Sequence, residues 1–142
     1  MLADLSERCN TIEECYEFML AYAAQGLPSD AGSQSGGQIR EFLSRAASAI
    51  SGLAEGGATA VKQERLEAAA RYQSFFAVLA RDASDSLAAI ELVLAQPAIS
   101  SQLIDNLNAS IHLRALLTDI FLVSEILETR QAHLTASQHE VI

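Results

Sequence analysis

Tryptophan is missing from this chain, and lysine occurs once, at Lys62. The remaining basic residues are arginines scattered along 142 residues, and together with 18 acidic groups they leave a net charge of −9. Nucleic acids and anionic lipid surfaces are held by lysine and arginine clusters, so the sequence argues against both as partners. The two cysteines, Cys9 and Cys15, match no zinc or redox spacing. They read as ordinary packing or surface thiols, kept reduced in a cytoplasm. Long hydrophobic runs are also lacking. The longest nearly apolar stretch, from Ala115 to Ile126, is interrupted by Thr118, Asp119 and Ser124, and is too short and too polar to span a bilayer. The stretch from Met1 to Asn10 has neither the basic start nor the apolar centre of a secretory signal. A cytoplasmic location is the expectation. The scarcity of lysine beside arginine, with abundant alanine, points to a GC-rich bacterial genome.

Aromatics make up 6% of the chain while hydrophobic residues make up 50%. The apolar content therefore rests on alanine, leucine and isoleucine, which suit closely packed helices better than strands. No alternating strand pattern and no Asn-Gly hairpin turn is present. The expected fold class is all-α: one domain over residues 1–142, a bundle of about four helices, the third and fourth long and antiparallel.

The first helix is expected from about Ile12 to Gln25, with Thr11 and Glu14 as a capping box and residues 1–10 adding at most a preceding turn. Ile12, Tyr16, Met19 and Ala23 share one face, and Glu13, Glu14 and Glu17 the other. Gly26 and Pro28 stop it. Residues 27–37, LPSDAGSQSGG, read as a flexible linker. Ser35 and Gln38 would cap a second helix ending near Glu55, with Ile39, Phe42, Leu43, Ala46, Ile50 and Leu53 as its apolar stripe. A third helix from about Ala60 to Ala95 carries the heptad-like seam Tyr72, Phe76, Leu79, Ala83, Leu87, Ile90 and Leu94. A fourth runs from about Ser101 to His133, and residues 135–142 are expected to fray.

No reaction centre is legible. A di-metal carboxylate bundle needs Glu-x-x-His pairs, yet the residues three before His112, His133 and His139 are Ala109, Arg130 and Ala136. No metal or other cofactor is expected. There is no Gly-x-Ser-x-Gly elbow, and the glycines from Gly52 to Gly57 lack the strand and the Lys-Ser or Lys-Thr of a phosphate cradle. Tyr16 and Tyr22, with Phe18 and Met19, would line either a core face or a small ligand groove. The acidic first helix suits a basic protein partner.

His112 is the candidate for chemistry in an otherwise apolar stretch. His112-Leu113-Arg114 followed by Leu117-Thr118-Asp119-Ile120 is similar to the phosphoacceptor box of sensor-kinase dimerisation helices. The acidic residue after the histidine and the proline of that box are missing, and the alignment needs a one-residue deletion. The His-x-Leu-Lys-Gly pattern of phosphotransfer domains is absent as well. The resemblance implies a phosphoacceptor histidine on a bundle helix.

Between Leu113 and Leu127 the fourth helix is apolar on most sides, more than one small bundle buries. The expectation is a non-enzymatic interaction, regulatory or assembly protein that forms a homodimer or higher homo-oligomer through Leu113, Leu116, Ile120, Val123 and Leu127. The alternative is a ligand- or metal-binding bundle using Tyr16, Tyr22, Glu13, Glu17 and His112, and the third reading is a phosphotransfer module.

Overall fold

A computed structural model describes residues 2–64 and 69–140. They form six helical segments and no strand: α1 (Leu2–Ala24), α2 (Gln34–Ser51), α3 (Leu53–Glu64), α4 (Ala69–Leu94), α5 (Ser101–Ala109) and α6 (Ile111–Glu140). The chain is an all-α bundle, and its six segments make four legs. α1 is the first leg, α2 and α3 the second, α4 the third, α5 and α6 the fourth. α1 and α4 each pack against α2, α3, α5 and α6 but not against each other, so they occupy opposite corners.

Contacts along the legs fix their directions. Phe18 stacks on Phe42, Glu14 pairs with Arg45 and Arg8 reaches Ser48, so α1 and the second leg run antiparallel. Ser86 bonds the His112 carbonyl and Asp82 meets Asp119 four positions earlier in α4 and seven later in α6. The third and fourth legs are therefore antiparallel, as expected. Residues 22, 19 and 13 of α1 meet residues 101, 108 and 124 of the fourth leg in the same sense. The result is an up-down-up-down bundle.

The stripes read from the sequence supply the core. Ile39, Leu43, Ala46, Ile50 and Leu53 are buried, as are Phe76, Leu79, Ala83 and Ile90 of the seam. Leu5, Cys9, Ile12, Cys15 and Met19 line the inner face of α1.

Two legs break where the sequence suggested continuous helices. At Gly52 the last turn of α2 is capped from outside: the Arg8 guanidinium donates to the carbonyls of Ser48 and Ala49 at 3.2 and 3.3 Å. A side chain at Gly52 would occupy the space of that guanidinium. At Ser110 one residue serves both helices. Its N–H donates to Leu107 O at the end of α5, and its hydroxyl accepts from the Leu113 N–H at the start of α6.

Helix starts also differ. Thr11 lies inside α1, where its hydroxyl donates to Glu7 O, so it caps nothing and α1 begins at Leu2. The N-cap of α2 is Ser33 rather than Ser35, accepting from the Gly36 N–H at 2.9 Å. Gly26, at φ 66°, ends α1 in the left-handed region that favours glycine. α6 continues to Glu140, through residues expected to fray. Residues 141 and 142 of that tail, and 65–68 of the expected third helix, lie outside the described residues.

The loop between α1 and α2, expected as a flexible linker, is tied down. Asp30 Oδ1 accepts from the Ile99 N–H at 2.8 Å and Oδ2 from Arg40 Nε at 2.8 Å. Gly36 packs against the backbone of Asp30 so closely that a Cβ would run into its carbonyl, whereas Gly37 faces open space. Gly36→Ala is expected to destabilise the protein by about 1–3 kcal/mol through this overlap. Gly37→Ala, in an unobstructed helical position, is expected to stabilise it by about 0.5–1 kcal/mol. Urea denaturation of the two variants beside the parent checks both signs.

Candidate functional site

The tyrosine cluster on α1 packs into and against the core. Tyr22 is buried, and its hydroxyl donates to the Ile99 carbonyl at 2.7 Å. Its own carbonyl accepts from the Ser101 hydroxyl at 2.7 Å, and that hydroxyl in turn accepts from the Leu27 N–H at 2.8 Å. Tyr22 thus joins a set of bonds that ties α1 to the start of α5. The reading of Tyr22 as a ligand contact is corrected on this point, because its one polar atom is already committed inside the core. Tyr16 is half-buried against the same core.

His112 stands exposed in the first turn of α6, and its backbone carbonyl accepts from the Ser86 hydroxyl of α4. No hydrogen bond among the described residues joins it to Tyr16 or Tyr22. Glu13 accepts from the Ser124 hydroxyl at 3.3 Å, while Glu17 is exposed. Glu14, on the acidic face read as a surface for a basic partner, pairs with Arg45 at 3.5 Å. Among the described residues no three His, Cys, Asp or Glu side chains are grouped to hold a metal ion.

Both cysteines are buried packing thiols. Burial pushes the Cys9 thiol up to about 11, with the nearby Glu13 charge adding to the effect and the Ser124 hydroxyl opposing it. Burial raises Cys15 as well. A thiol so far from its thiolate is a poor nucleophile. An open groove of about 610 Å³ between α1 and α2 is lined by Glu7, Arg8, Glu41 and Arg45 among others. Its arginines are already engaged, Arg8 with Asp4 and the end of α2, and Arg45 with Glu14 and the Phe42 ring.

The last helix holds the feature that matters most. Leu113, Leu116, Ile120 and Val123 are buried by the chain's own helices, and Leu127 is half-buried against the core. They are therefore not a free face for a second chain, and the expected interface is corrected. The apolar excess lies elsewhere on α6. Ile111 is 75% exposed, Phe121 and Leu122 are each 51% exposed and Ile126 is 45% exposed. At about 100° per residue, Ile111, Thr118, Leu122 and Ile126 share the outer side of the helix, with Phe121 at one margin. The sequence signal was present, since α6 is apolar nearly all round, but it did not say which arc faces inward.

Sequence reasoning also missed a pair of acids. Asp119 is buried on α6, and its Oδ2 has no hydrogen-bond partner. Asp82 of α4 lies within hydrogen-bonding reach of it. A lone acid inside the apolar run of α6 was the available signal.

No helix among the described residues is long and apolar enough to cross a membrane. In comparison with known proteins, the chain matches no family model, no curated protein and no solved structure.

The Tyr22 contact yields a clear expectation. Tyr22→Phe strips the Ile99 carbonyl of a buried donor and should cost about 1–3 kcal/mol of stability. Chemical denaturation would measure it, and an unchanged midpoint would show that the hydroxyl is dispensable.

Proposed function

We propose that this chain is a non-enzymatic helical interaction protein that self-associates through the outer side of α6. The observation that carries the reading is the concentration of exposed large apolar residues on that helix: Ile111, Phe121, Leu122 and Ile126. Isolated apolar residues on a surface need no explanation, but a row of them along one helix marks a contact face.

Charge favours a second copy of the chain as the occupant. Arg114 lies toward the start of this face, and Glu125 and Glu128 toward its far end, all three exposed. An antiparallel second copy crossing near Thr118 and Leu122 brings the Arg114 end of one helix beside the Glu125 and Glu128 end of the other. A parallel copy would set like charges side by side. The antiparallel contact is self-complementary, as a two-fold dimer requires. A contact made by one helix per subunit belongs at the small end of specific interfaces, so association should depend on concentration.

The ligand-binding reading has less support, because Tyr22 is closed off and the groove arginines are engaged. The phosphotransfer reading keeps one supporting observation, the exposure of His112 on a bundle helix.

Sedimentation velocity over a range of concentrations tests the dimer. Leu122→Glu should shift the protein to monomer while leaving its helical circular dichroism intact. Leu116→Glu should instead unfold the chain, since it puts a charge into the core. A parent protein that stays monomeric at every concentration would overturn the reading.

A further inference from the structure

Asp119 is 7% exposed and lies in the apolar stretch LLTDIFL of α6. A buried carboxylate normally finds a donor or a cation. Its Oδ2 has neither, and the group facing it across the α4–α6 contact is another carboxyl, that of Asp82. Two ionised carboxylates offer only acceptors, so no hydrogen bond between them is feasible without a proton.

Among the described residues no hydrogen-bond donor reaches Asp119 Oδ2. From α4, Asp82 faces Asp119, while Arg81 and Asp85 are exposed. From α1, Glu13 and Cys9 converge on Ser124, more than a turn further along α6. α5 contributes the exposed Asp105 and the neutral Asn108, whose amide donates to Met19 O. On α6 itself the nearest charged residues, Arg114 and Glu125, are exposed.

We propose that Asp82 and Asp119 share one proton, and that this hydrogen bond is a pH-sensitive latch joining α4 to α6. With the proton in place the two helices are bridged by a short carboxyl–carboxylate bond. When it leaves, two like charges face each other in a largely apolar contact, and α6 loosens from α4.

Burial, then the hydrogen bond and the negative charge of Asp82, raise Asp119 from the ordinary carboxyl value of 3.8 to about 7. The folded protein therefore holds a proton that the unfolded chain releases between those values. The stability this contributes is fully present below the unfolded value and is lost as pH rises through the folded one. One such proton changes the folding constant by at most about tenfold per pH unit.

The test is urea denaturation of the parent, Asp119→Asn, Asp82→Asn and His112→Gln between pH 5 and 8.5. An asparagine at 119 donates permanently to Asp82. That variant should lose the fall in stability with pH and exceed the parent at pH 8, while His112→Gln keeps the fall. Asp82→Asn, which gives Asp119 a donor and removes the opposing charge, should flatten the profile too. A parent profile without the fall, or an Asp119→Asn profile that retains it, would overturn the latch. If Asp119→Asn does not fold, carbon-13 NMR of the parent's carboxyl groups decides: one signal titrating near neutrality supports the latch, and all signals titrating near pH 4 refute it. Stabilisation by calcium or magnesium at pH 8 that disappears in Asp119→Asn would also refute it, showing that the pair takes a metal ion in place of the proton.

Discussion

The carboxylate of Asp30 joins two loops that are 69 positions apart in the chain, through the Ile99 N–H. Its other oxygen holds Arg40, whose remaining nitrogens donate to the Leu94 and Gln96 carbonyls at 3.0 and 2.8 Å. One carboxylate and one guanidinium thereby tie the α1–α2 loop to the end of α4, and Tyr22 and Ser101 tie the end of α1 to the start of α5. All four legs meet at this end of the bundle, and their alignment follows from it. The helices would bury their stripes in several sliding registers, because leucine and alanine surfaces are tolerant of shift. Buried polar partners are not tolerant, since a one-residue slip leaves each of them unsatisfied. The apolar stripes thus supply the tendency to collapse, and the polar clasp selects the register.

α6 has to meet two demands at once. Leu113, Leu116, Leu117, Ile120 and Val123 face the core, while Ile111, Phe121, Leu122 and Ile126 face out. The helix is therefore apolar on opposite sides, and its amphipathic signal cancels. This is why a periodicity argument detected too much apolar surface without placing it. The inner arc is decided by the partners that α6 meets, namely α4, α1 and α5.

The fold class, a bundle of four legs and the antiparallel third and fourth legs were legible from 3.6-residue periodicity and from Gly26, although the second leg runs on to Glu64, where the third helix was expected from about Ala60. The seam from Tyr72 to Leu94 was also legible, because each residue type there matches its place on the stripe. The breaks at Gly52 and Ser110 were not. Gly52 is accommodated by the guanidinium of Arg8, more than forty positions earlier, and no local pattern encodes that. Asp30 looked like a loop residue for the same reason: its donors, Arg40 and Ile99, come from other parts of the chain. Among the candidate site residues, Tyr22 could not be told from a ligand contact by spacing alone. A tyrosine on a core-facing stripe has the same neighbours in sequence whether its hydroxyl meets a ligand or a backbone carbonyl.

Asp30 and Asp119 show why local sequence fails for charged groups. Both are held against folded structure, and burial alone would raise both. Asp30 is instead lowered, chiefly by the Ile99 N–H and then by Arg40, because every group aimed at it is a donor. Asp119 is raised because the group aimed at it is an acceptor. The sign of each shift comes from the partner and not from the depth of burial. The two carboxyls therefore lose their contributions in opposite directions of pH. Asp30 holds the clasp as long as it is ionised, and its contribution fades only when acid protonates it. Asp119 contributes while it is protonated, and base removes it. Between these limits the clasp and the α4–α6 contact are both intact. That interval sets the conditions under which α6, fixed on its inner side, can present its outer side as a rigid face.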